Sequence, residues 1–304
     1  MKLKSIEGLI FLSYLTSYNI STIMYLVEKY EDLRELRQNL GKEEELNKIT
    51  DKDYRKCYYL TLLAIEKLRF HQIKALPYFS DEFPKCLEKV RNTPPVLYVK
   101  GNLDLSKKMV AVVGSRKISD YGKNKTINIT TESLKLSLGV VSGLALGVDS
   151  IAHETTVRLG GYTIAVMPNS LDSIYPRENF KIANDILESG GALVSEMIFG
   201  INRGKKSFVQ RNRIQAGLSD IIIPTEMRVE SGTMHTINFA LSQDKWLCLP
   251  DFTGDSLEDN GIKHLVSKFR NQQNGKKVMV VKDLDEFYSR VKQLSLNNGQ
   301  LTLF

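Results

Sequence analysis

From residue 109 onward, short runs of β-branched and aliphatic residues alternate with longer stretches of helical character. These runs begin at Val110, Val140, Tyr162, Ala192, Ile221, Trp246 and Val278. Strands separated by helices form βαβ units, and right-handed βαβ crossovers build a mostly parallel sheet. The alternation therefore predicts an α/β fold with a Rossmann-like, mostly parallel sheet over residues 106–292.

The first part of the chain has a different pattern. Leu9, Leu12 and Leu15, and later Ile23 and Leu26, recur mostly at helical spacings, and the pattern resumes from 54 to 68. Residues 1–75 are therefore predicted to form a small N-terminal helical domain. A proline-containing connector is expected over 76–105, and the polar segment 293–304 is expected to be a flexible tail.

The charge of the chain is unevenly distributed. Lys and Arg number 42 against 35 Asp and Glu, a formal net charge of +7. Residues 200–215 and 261–282 carry basic side chains and no acidic residue. Net charge alone is also compatible with an ordinary surplus of surface lysine, but the clustering predicts a cationic patch for a polyanion.

Several classes of protein are disfavoured by what the sequence lacks. Cys57, Cys86 and Cys248 are far apart, so neither a disulfide framework nor a zinc site is expected. The four histidines show no metal-ligand spacing, and we expect no metal and no cofactor. No apolar run is long enough to cross a bilayer, and the apolar N-terminus is interrupted by polar residues. We expect a cytoplasmic protein without a membrane partner.

The strand-end loops are the expected location of a ligand site, because doubly wound sheets bind ligands beyond the carboxyl ends of their strands. Three of these loops carry Gly beside Ser or Thr: Gly114-Ser115, Ser142-Gly143 and Ser231-Gly232-Thr233. Gly permits close backbone approach, and a helix N-terminus favours an anion. Guanidinium groups that suit phosphate follow two of the strands, at Arg116, Arg211 and Arg213. The loops therefore predict a phosphate-bearing ligand. Neither a G-x-G-x-x-G nor a G-x-x-x-x-G-K-[ST] pattern is present.

The order of these motifs resembles that of the DNA-processing protein A (DprA/Smf) family, over about residues 76–283. The resemblance is carried by Gly114-Ser115-Arg116, Ser142-Gly143-Leu144-Ala145, Tyr175-Pro176, Ser195-Glu196, Phe208-x-x-Arg211-Asn212-Arg213-Ile214 and Ser231-Gly232-Thr233. It implies a Rossmann-like domain that forms a homodimer and binds single-stranded DNA. It further implies a non-enzymatic role in natural transformation and competence, protecting incoming strands and helping to load the RecA recombinase.

The resemblance also implies roles for individual residues. Arg116 and Lys205 would contact phosphate, and Phe208 would stack on a base, although Phe208 is equally interpretable as a core aromatic. Arg211 and Arg213 would complete a basic rim, unless one of them braces the loop internally. The remaining DNA contacts would come from the glycine-containing loops, namely Gly114, Ser115, Ser142, Gly143, Ser231 and Gly232.

The last five residues suggest a second interaction. The residues Gln300, Leu301, Thr302, Leu303 and Phe304 resemble the pentapeptide that enters the hydrophobic groove of the bacterial replicative sliding clamp. The alternative is an accidental apolar end.

Two other functions fit the same glycine-containing loops. Related nucleotide phosphoribohydrolases carry P-G-G-x-G-T-x-x-E, whose final Glu assists glycosidic cleavage, but Thr236 occupies that position here. The nearest carboxylates, Glu226 and Glu230, come earlier in the chain. A sensor of a nucleotide signal is the other alternative. The sequence leaves open whether the setting is transformation, defence against foreign DNA or general recombination.

Overall fold

A computed structural model describes residues 1–201, 203–252, 260–270 and 277–296, with the side chains of 270, 295 and 296 excluded. The chain divides into two compact units. Unit 1 comprises Met1–Lys100, Met167–Ser173 and Val194–Ser207, and unit 2 comprises Gly101–Val166, Ile174–Leu193 and the chain from Phe208 onward. The predicted domain boundaries follow chain order, whereas both units are assembled from separate segments.

Unit 1 contains the N-terminal helices that the apolar spacing predicts. They are α1 (Ile6–Leu15), α2 (Ile20–Lys29), α3 (Leu33–Asn39) and α4 (Asp51–Phe70). Side chains of Ser5, Asn19 and Asp32 cap the first three, and Thr50 forms a capping box with Asp53 at the start of α4. A short 3₁₀ turn, Leu40–Lys42, interrupts the helical pattern. No helix within the described part of the chain is long and apolar enough to span a membrane.

The predicted connector contains two strands and a short helix. Strand β1 (Ile73–Pro77) pairs antiparallel with β2 (Val96–Gly101), and α5 (Lys85–Glu88) lies between them in the chain. The run Val96-Leu97-Tyr98-Val99 after a proline pair is typical of a strand and predicts β2, whereas the sequence of β1 predicts none. Its Lys74 and its terminal Pro77 hide the strand pattern, and its pairing with β2 supplies the stability that the local sequence lacks.

Unit 2 contains the parallel sheet that the alternation predicts. Its strands are β3 (Met109–Val113), β4 (Gly139–Ser142), β5 (Thr163–Val166), β7 (Ile221–Pro224), β8 (Trp246–Pro250) and β9 (Val278–Val281). They lie in the order β5-β4-β3-β7-β8-β9, and each neighbouring pair is parallel. Strand β6 (Ala192–Ser195) is divided between the units. The predicted fold class, a Rossmann-like and mostly parallel α/β sheet, is confirmed.

Helices fill the connections between these strands. They are α6 (Asp120–Lys135), α7 (Val148–Arg158), α8 (Phe180–Glu188), α9 (Lys205–Gly217), α10 (Thr233–Ser242), α11 (Asn260–Arg270) and α12 (Leu284–Leu296). Phe287, Val291 and Leu294 of α12 join Ile129 of α6 in the main core of the sheet. Because these apolar residues recur at helical spacing, α12 continues into the segment predicted as a flexible tail.

The strand order identifies the expected ligand crevice. The chain runs outward from β3 to β4 and β5, and later resumes on the other side of β3 with β7. The order therefore reverses between β3 and β7. Doubly wound sheets bind their ligands beyond the carboxyl ends of the strands at such a reversal.

Candidate nucleic-acid interface

A pocket of about 320 Å³ lies at the reversal point and is lined only by residues of unit 2. Seven of the eleven predicted DNA-binding residues line it: Gly114, Ser115, Arg116, Phe208, Arg211, Ser231 and Gly232. Ser142, Gly143 and Arg213 do not line it, and Lys205 is an exposed residue of unit 1. The sequence-predicted residues therefore divide into those at the pocket and those beneath or apart from it.

The loop after β3 forms one wall of the pocket through its backbone. The Ser115 N–H donates to the Glu226 carbonyl at 2.8 Å, and the Ser115 carbonyl accepts from the Val148 N–H at 3.1 Å. A Cβ added at Gly114 would lie 2.5 Å from Val148 Cγ2, so glycine is required there. The backbone of Ser115 thus joins neighbouring elements, and the exposed Arg116 side chain is what the loop offers a ligand.

Arg116 and Phe208 line the pocket in contact with each other, and Tyr175 contacts Phe208. The Arg116 guanidinium lies over the Phe208 ring, with 5.3 Å between Cζ and the ring centroid. Tyr175 meets Phe208 edge-on at a centroid distance of 5.5 Å and is half exposed. Phe208 is only partly buried, so it is not a core residue of the ordinary kind. The arrangement combines a cation with two aromatic rings that contact each other.

Arg211 occupies the floor of the pocket. Its side chain is 6% exposed, and Nη1 donates to the Val166 carbonyl at 2.5 Å while Nε donates to Asn212 Oδ1 at 3.1 Å. Burial lowers the pKa of Arg211, and the charge of Asp149 opposes that shift. Burial likewise raises the pKa of Asp149, with Arg211 acting in the opposite direction. Arg211 therefore braces the strand ends from within the protein.

The Ser142-Gly143 loop supports this brace. A Cβ at Gly143 would lie 1.8 Å from Arg211 Nη1, so only glycine leaves room for the guanidinium. The Ser142 hydroxyl is buried and donates to the Val112 carbonyl at 2.6 Å, which joins β4 to β3. Gly143, which the sequence assigns to a ligand-binding loop, is thus required by the packing of the buried Arg211 side chain.

Arg213 is the most deeply buried of the predicted basic residues. It is 1% exposed, and its Nη1 donates to the Gln210 carbonyl at 2.9 Å. The expectation that Arg211 and Arg213 form a basic rim is therefore corrected, because both guanidinium groups point into protein. Arg211 and Arg213 point to nearly opposite sides of α9, and both are buried because the helix is enclosed on almost every side from residue 211 to residue 217. A motif read without the fold does not reveal that enclosure.

The loop before α10 closes the pocket. Within the described residues, the buried Ser231 Oγ has no hydrogen-bond partner, and it lies two residues before the first residue of α10, Thr233. Gly232 is exposed and has open space around it. An unpaired hydroxyl beside a helix N-terminus offers a donor for a phosphate oxygen.

Several lining residues are missed by the sequence reasoning. Lys117, Arg228 and His235 are exposed at the pocket, and Asn212 and Gln215 contribute amide groups. Arg228 follows β7 by four residues, so a strand-end search extended by one turn would include it. His235 and Gln215 depend on the rotation of α10 and α9, which only the assembled fold fixes.

The carboxylates near the pocket interact with other groups of the protein. Glu226 is fully buried and accepts hydrogen bonds from the backbone N–H and the hydroxyl of Ser119, which fixes the start of α6. Among the described residues that line the pocket, Asp149 is the one carboxylate, and it is paired electrostatically with Arg211. The part of the chain that the structure covers contains no cluster of three or more His, Cys, Asp or Glu residues suited to a metal ion.

His153 belongs to the interior behind the pocket. Its Nδ1 shares a 2.8 Å hydrogen bond with the Thr163 hydroxyl, and burial lowers its pKa to about 3. The imidazole is therefore neutral at ordinary pH.

The family model and the similar proteins of known sequence indicate the same family. The family model described as "DNA recombination-mediator protein A" matches residues 74–284. The Smf protein of Borreliella burgdorferi is 35% identical over 192 residues, covering 61% of each chain. The DprA protein of Streptococcus pneumoniae is 35% identical over 201 residues, covering 66% of this chain and 70% of that protein. The match spans only half of the Escherichia coli Smf protein.

Solved structures agree with these relatives. The crystal structure of DprA from Streptococcus pneumoniae has a TM-score of 0.74 at 28% identity and covers 95% of this chain and 98% of its own. A structure of DprA from Helicobacter pylori, described for its single-stranded DNA binding mode, has a TM-score of 0.63 at 29% identity, covering 73% and 96%. With more than half of the sequence matched by the family model, this chain belongs to the DNA recombination-mediator protein A (DprA/Smf) family.

Proposed function

We propose that this protein binds single-stranded DNA at the pocket between β3 and β7. The observation that carries the proposal is the exposed Arg116 guanidinium over the partly exposed Phe208 ring, at the edge of a pocket lined by further cations. A cation for the phosphate and a ring for the base are the two elements of strand-generic recognition.

The residues at the pocket favour a single strand over a duplex. Phe208 and Tyr175 offer ring surface to an unpaired base, whereas bases inside a duplex are already stacked on one another. Arg116, Lys117 and Arg228 supply charge without reading sequence. A relative from Helicobacter pylori is described as binding single-stranded DNA, which supports the same ligand here. Lys205, exposed at the start of α9, is proposed as a second phosphate contact.

We also propose that the site is not catalytic. Glycosidic cleavage of the phosphoribohydrolase type needs a carboxylate, and Thr236 lines the pocket where those enzymes carry Glu. Glu226 is committed to Ser119, and Asp149 is committed to Arg211. Incubation of the protein with nucleoside monophosphates should release no free base, and base release would contradict this part of the proposal.

The binding experiment uses a fluorescent single-stranded oligonucleotide and its duplex at several salt concentrations. We expect preference for the single strand and a linear fall of log K with log salt. Arg116→Ala should weaken binding and reduce that slope by about 0.7, because one phosphate contact is lost. Lys205→Ala should act similarly. Arg158→Ala, an exposed arginine at the end of α7, is the matched control.

Two results would overturn the proposal. One is equal affinity for the duplex and the single strand. The other is saturable binding of a mononucleotide with no measurable binding of the oligonucleotide, which would favour the nucleotide-sensor function.

The wider role is proposed from the family. We propose that a cytoplasmic homodimer protects incoming strands during natural transformation and transfers them to RecA. Light scattering should give twice the chain mass, and the protein should accelerate RecA filament assembly on strands coated with single-strand-binding protein. A monomer, or an unchanged assembly rate, would contradict the respective part.

Clamp binding is proposed separately. The motif Gln300, Leu301, Leu303 and Phe304 lies outside the described residues. Deletion of residues 300–304 should abolish binding to the sliding clamp without changing affinity for DNA. Unchanged clamp binding would contradict this role.

A further inference from the structure

Part of the basic run 200–215 belongs structurally to the N-terminal helices. Val194–Ser207 is part of unit 1, together with Met1–Lys100, and it includes Arg203, Lys205 and Lys206. The last two are exposed at the start of α9. Contacts between this segment and the helices should therefore set where these cations lie.

The first contact is a buried hydrogen bond. The Tyr18 hydroxyl donates to Glu196 Oε2 at 2.9 Å across a sequence separation of 178 residues. Tyr18 is 2% exposed and Glu196 is 3% exposed. A buried carboxylate is costly unless it is hydrogen-bonded, so Glu196 depends on donors of this kind. The Arg203 guanidinium also lies over the Tyr18 ring, at 5.6 Å from its centroid.

The backbone at Tyr18 supports a specific role for this residue. Its φ angle is +63°, which is unfavourable for a bulky side chain. Such conformations persist where the surrounding structure holds them, and they are concentrated at functional positions. Here the strained turn after α1 directs a tyrosine hydroxyl to the end of β6.

A second tyrosine holds the same segment three residues further along. The Tyr14 hydroxyl donates to the Phe199 carbonyl at 2.8 Å, across 185 residues of sequence. The Phe199 ring also lies 5.4 Å from Lys67 Nζ of α4 and 6.2 Å from the His71 ring. Helix α1 therefore contacts the backbone of Phe199, and α4 contacts its side chain.

We propose that Tyr14 and Tyr18 are positioning residues for DNA binding, which hold the segment after β6 so that Arg203, Lys205 and Lys206 meet the phosphates of a bound strand. The proposal rests on the proposed single-stranded DNA binding and assigns a role in it to the N-terminal helices. The tyrosines themselves contact no DNA in this arrangement. Their effect is to reduce the freedom that the basic side chains would otherwise lose on binding.

The experiment compares the full chain with Tyr14→Phe, Tyr18→Phe and the double variant; each substitution removes one oxygen and keeps the ring. The matched control is Tyr54→Phe, because the Tyr54 hydroxyl donates to the Leu33 carbonyl within the helices and does not touch the segment. Backbone amide exchange of residues 194–201 reports positioning without any ligand. Affinity for a single-stranded oligonucleotide reports its consequence.

We expect the double variant to exchange faster over 194–201 and to bind the oligonucleotide about three- to tenfold more weakly, as the loss of hydrogen bonds to these groups implies. Tyr54→Phe should change neither quantity. In a background with Arg203, Lys205 and Lys206 all replaced by Ala, the double variant should cause no further loss, because its effect acts through those cations.

The outcomes separate the two proposals. If the wild type binds no single-stranded DNA, the proposed function fails, whatever the exchange data show. If the wild type binds and the double variant binds equally well, the positioning role is wrong, even if exchange is faster. A further loss of affinity in the triple-alanine background would also contradict it, because the tyrosines would then act elsewhere.

Discussion

The face and the floor of the strand-end pocket use the same residue types for opposite purposes. On the face, Arg116 is exposed over Phe208, and Gly232 has open space around it. On the floor, Arg211 is buried against the Val166 carbonyl, and the absence of a side chain at Gly143 leaves room for its guanidinium. An arginine beside a glycine-containing loop therefore identifies neither a ligand contact nor a structural brace. Burial and the partner of each guanidinium distinguish them.

Substitutions on the floor and on the face should therefore have different measurable effects. Changes on the floor should lower the free energy of unfolding, since they disturb buried groups. Changes on the face should lower affinity for DNA and leave stability nearly unchanged. The following substitutions test that separation.

Arg211→Met should have the largest effect. It removes the buried guanidinium and leaves Asp149 buried without its opposing charge, which costs about 3–5 kcal/mol of stability. Urea unfolding measures the loss. Arg116→Met is the matched control, and it should change stability by less than about 0.5 kcal/mol. Equal stability of the two variants would remove the distinction between floor and face.

Gly143→Ala should be the next most damaging change. Its Cβ would meet Arg211 Nη1, and relieving that overlap moves a buried and hydrogen-bonded side chain at a cost of about 1–3 kcal/mol. Gly232→Ala offers the control, because its surroundings are open and its φ is −58°. Thermal unfolding compares the two. A tolerated Ala at 143 would show that Arg211 is free to move.

Phe208→Ala tests whether this ring stacks on a base or fills the core. A stacking role predicts a loss of about 1–3 kcal/mol in binding of single-stranded DNA, with little loss of stability. A core role predicts the reverse, a stability loss of about 3–5 kcal/mol. Titration of the oligonucleotide and urea unfolding are measured on the same preparation. Phe208→Tyr retains the ring and should retain affinity.

A pH dependence of stability originates behind the floor. Burial, and secondarily the charge of Arg211, lowers the pKa of His153 to about 3, against 6.5 in the unfolded chain. The unfolded state therefore binds the proton first as pH falls, and stability is lost between about pH 6.5 and pH 3, by at most about 1.4 kcal/mol per pH unit. Above this window the contribution is fully present.

His153→Asn keeps a hydrogen-bonding group near Thr163 and removes the titration. The difference in unfolding free energy between wild type and variant should shrink as pH is lowered through this window. Taking the difference cancels the contributions of other groups, including the raised pKa of Asp149. A difference independent of pH would show that His153 is not buried as a neutral base.

The sheet was accessible from the sequence because its strands are short apolar runs between helices, and the ends of β3 and β7 could be located directly. Strand β1 was missed because Lys74 and Pro77 disguise it and its partner β2 is distant in the chain. Seven pocket residues were found because strand ends converge by topology. The burial of Arg213 depends on the enclosure of α9 on almost every side, and the exposure of His235 depends on how α10 rotates against the sheet. Local sequence encodes neither.

The discontinuous make-up of unit 1 bears on how this protein can be divided and how it has to change over time. A cut at residue 75 or 105, where a reader of the sequence would place a border, leaves Glu196 without Tyr18 and Phe199 without Tyr14. The N-terminal helices therefore do not form a complete structural unit without residues 194–207. Recombination between homologues would preserve the fit only if both stretches came from the same parent, so the codons for the N-terminal helices and for residues 194–207 should be inherited together.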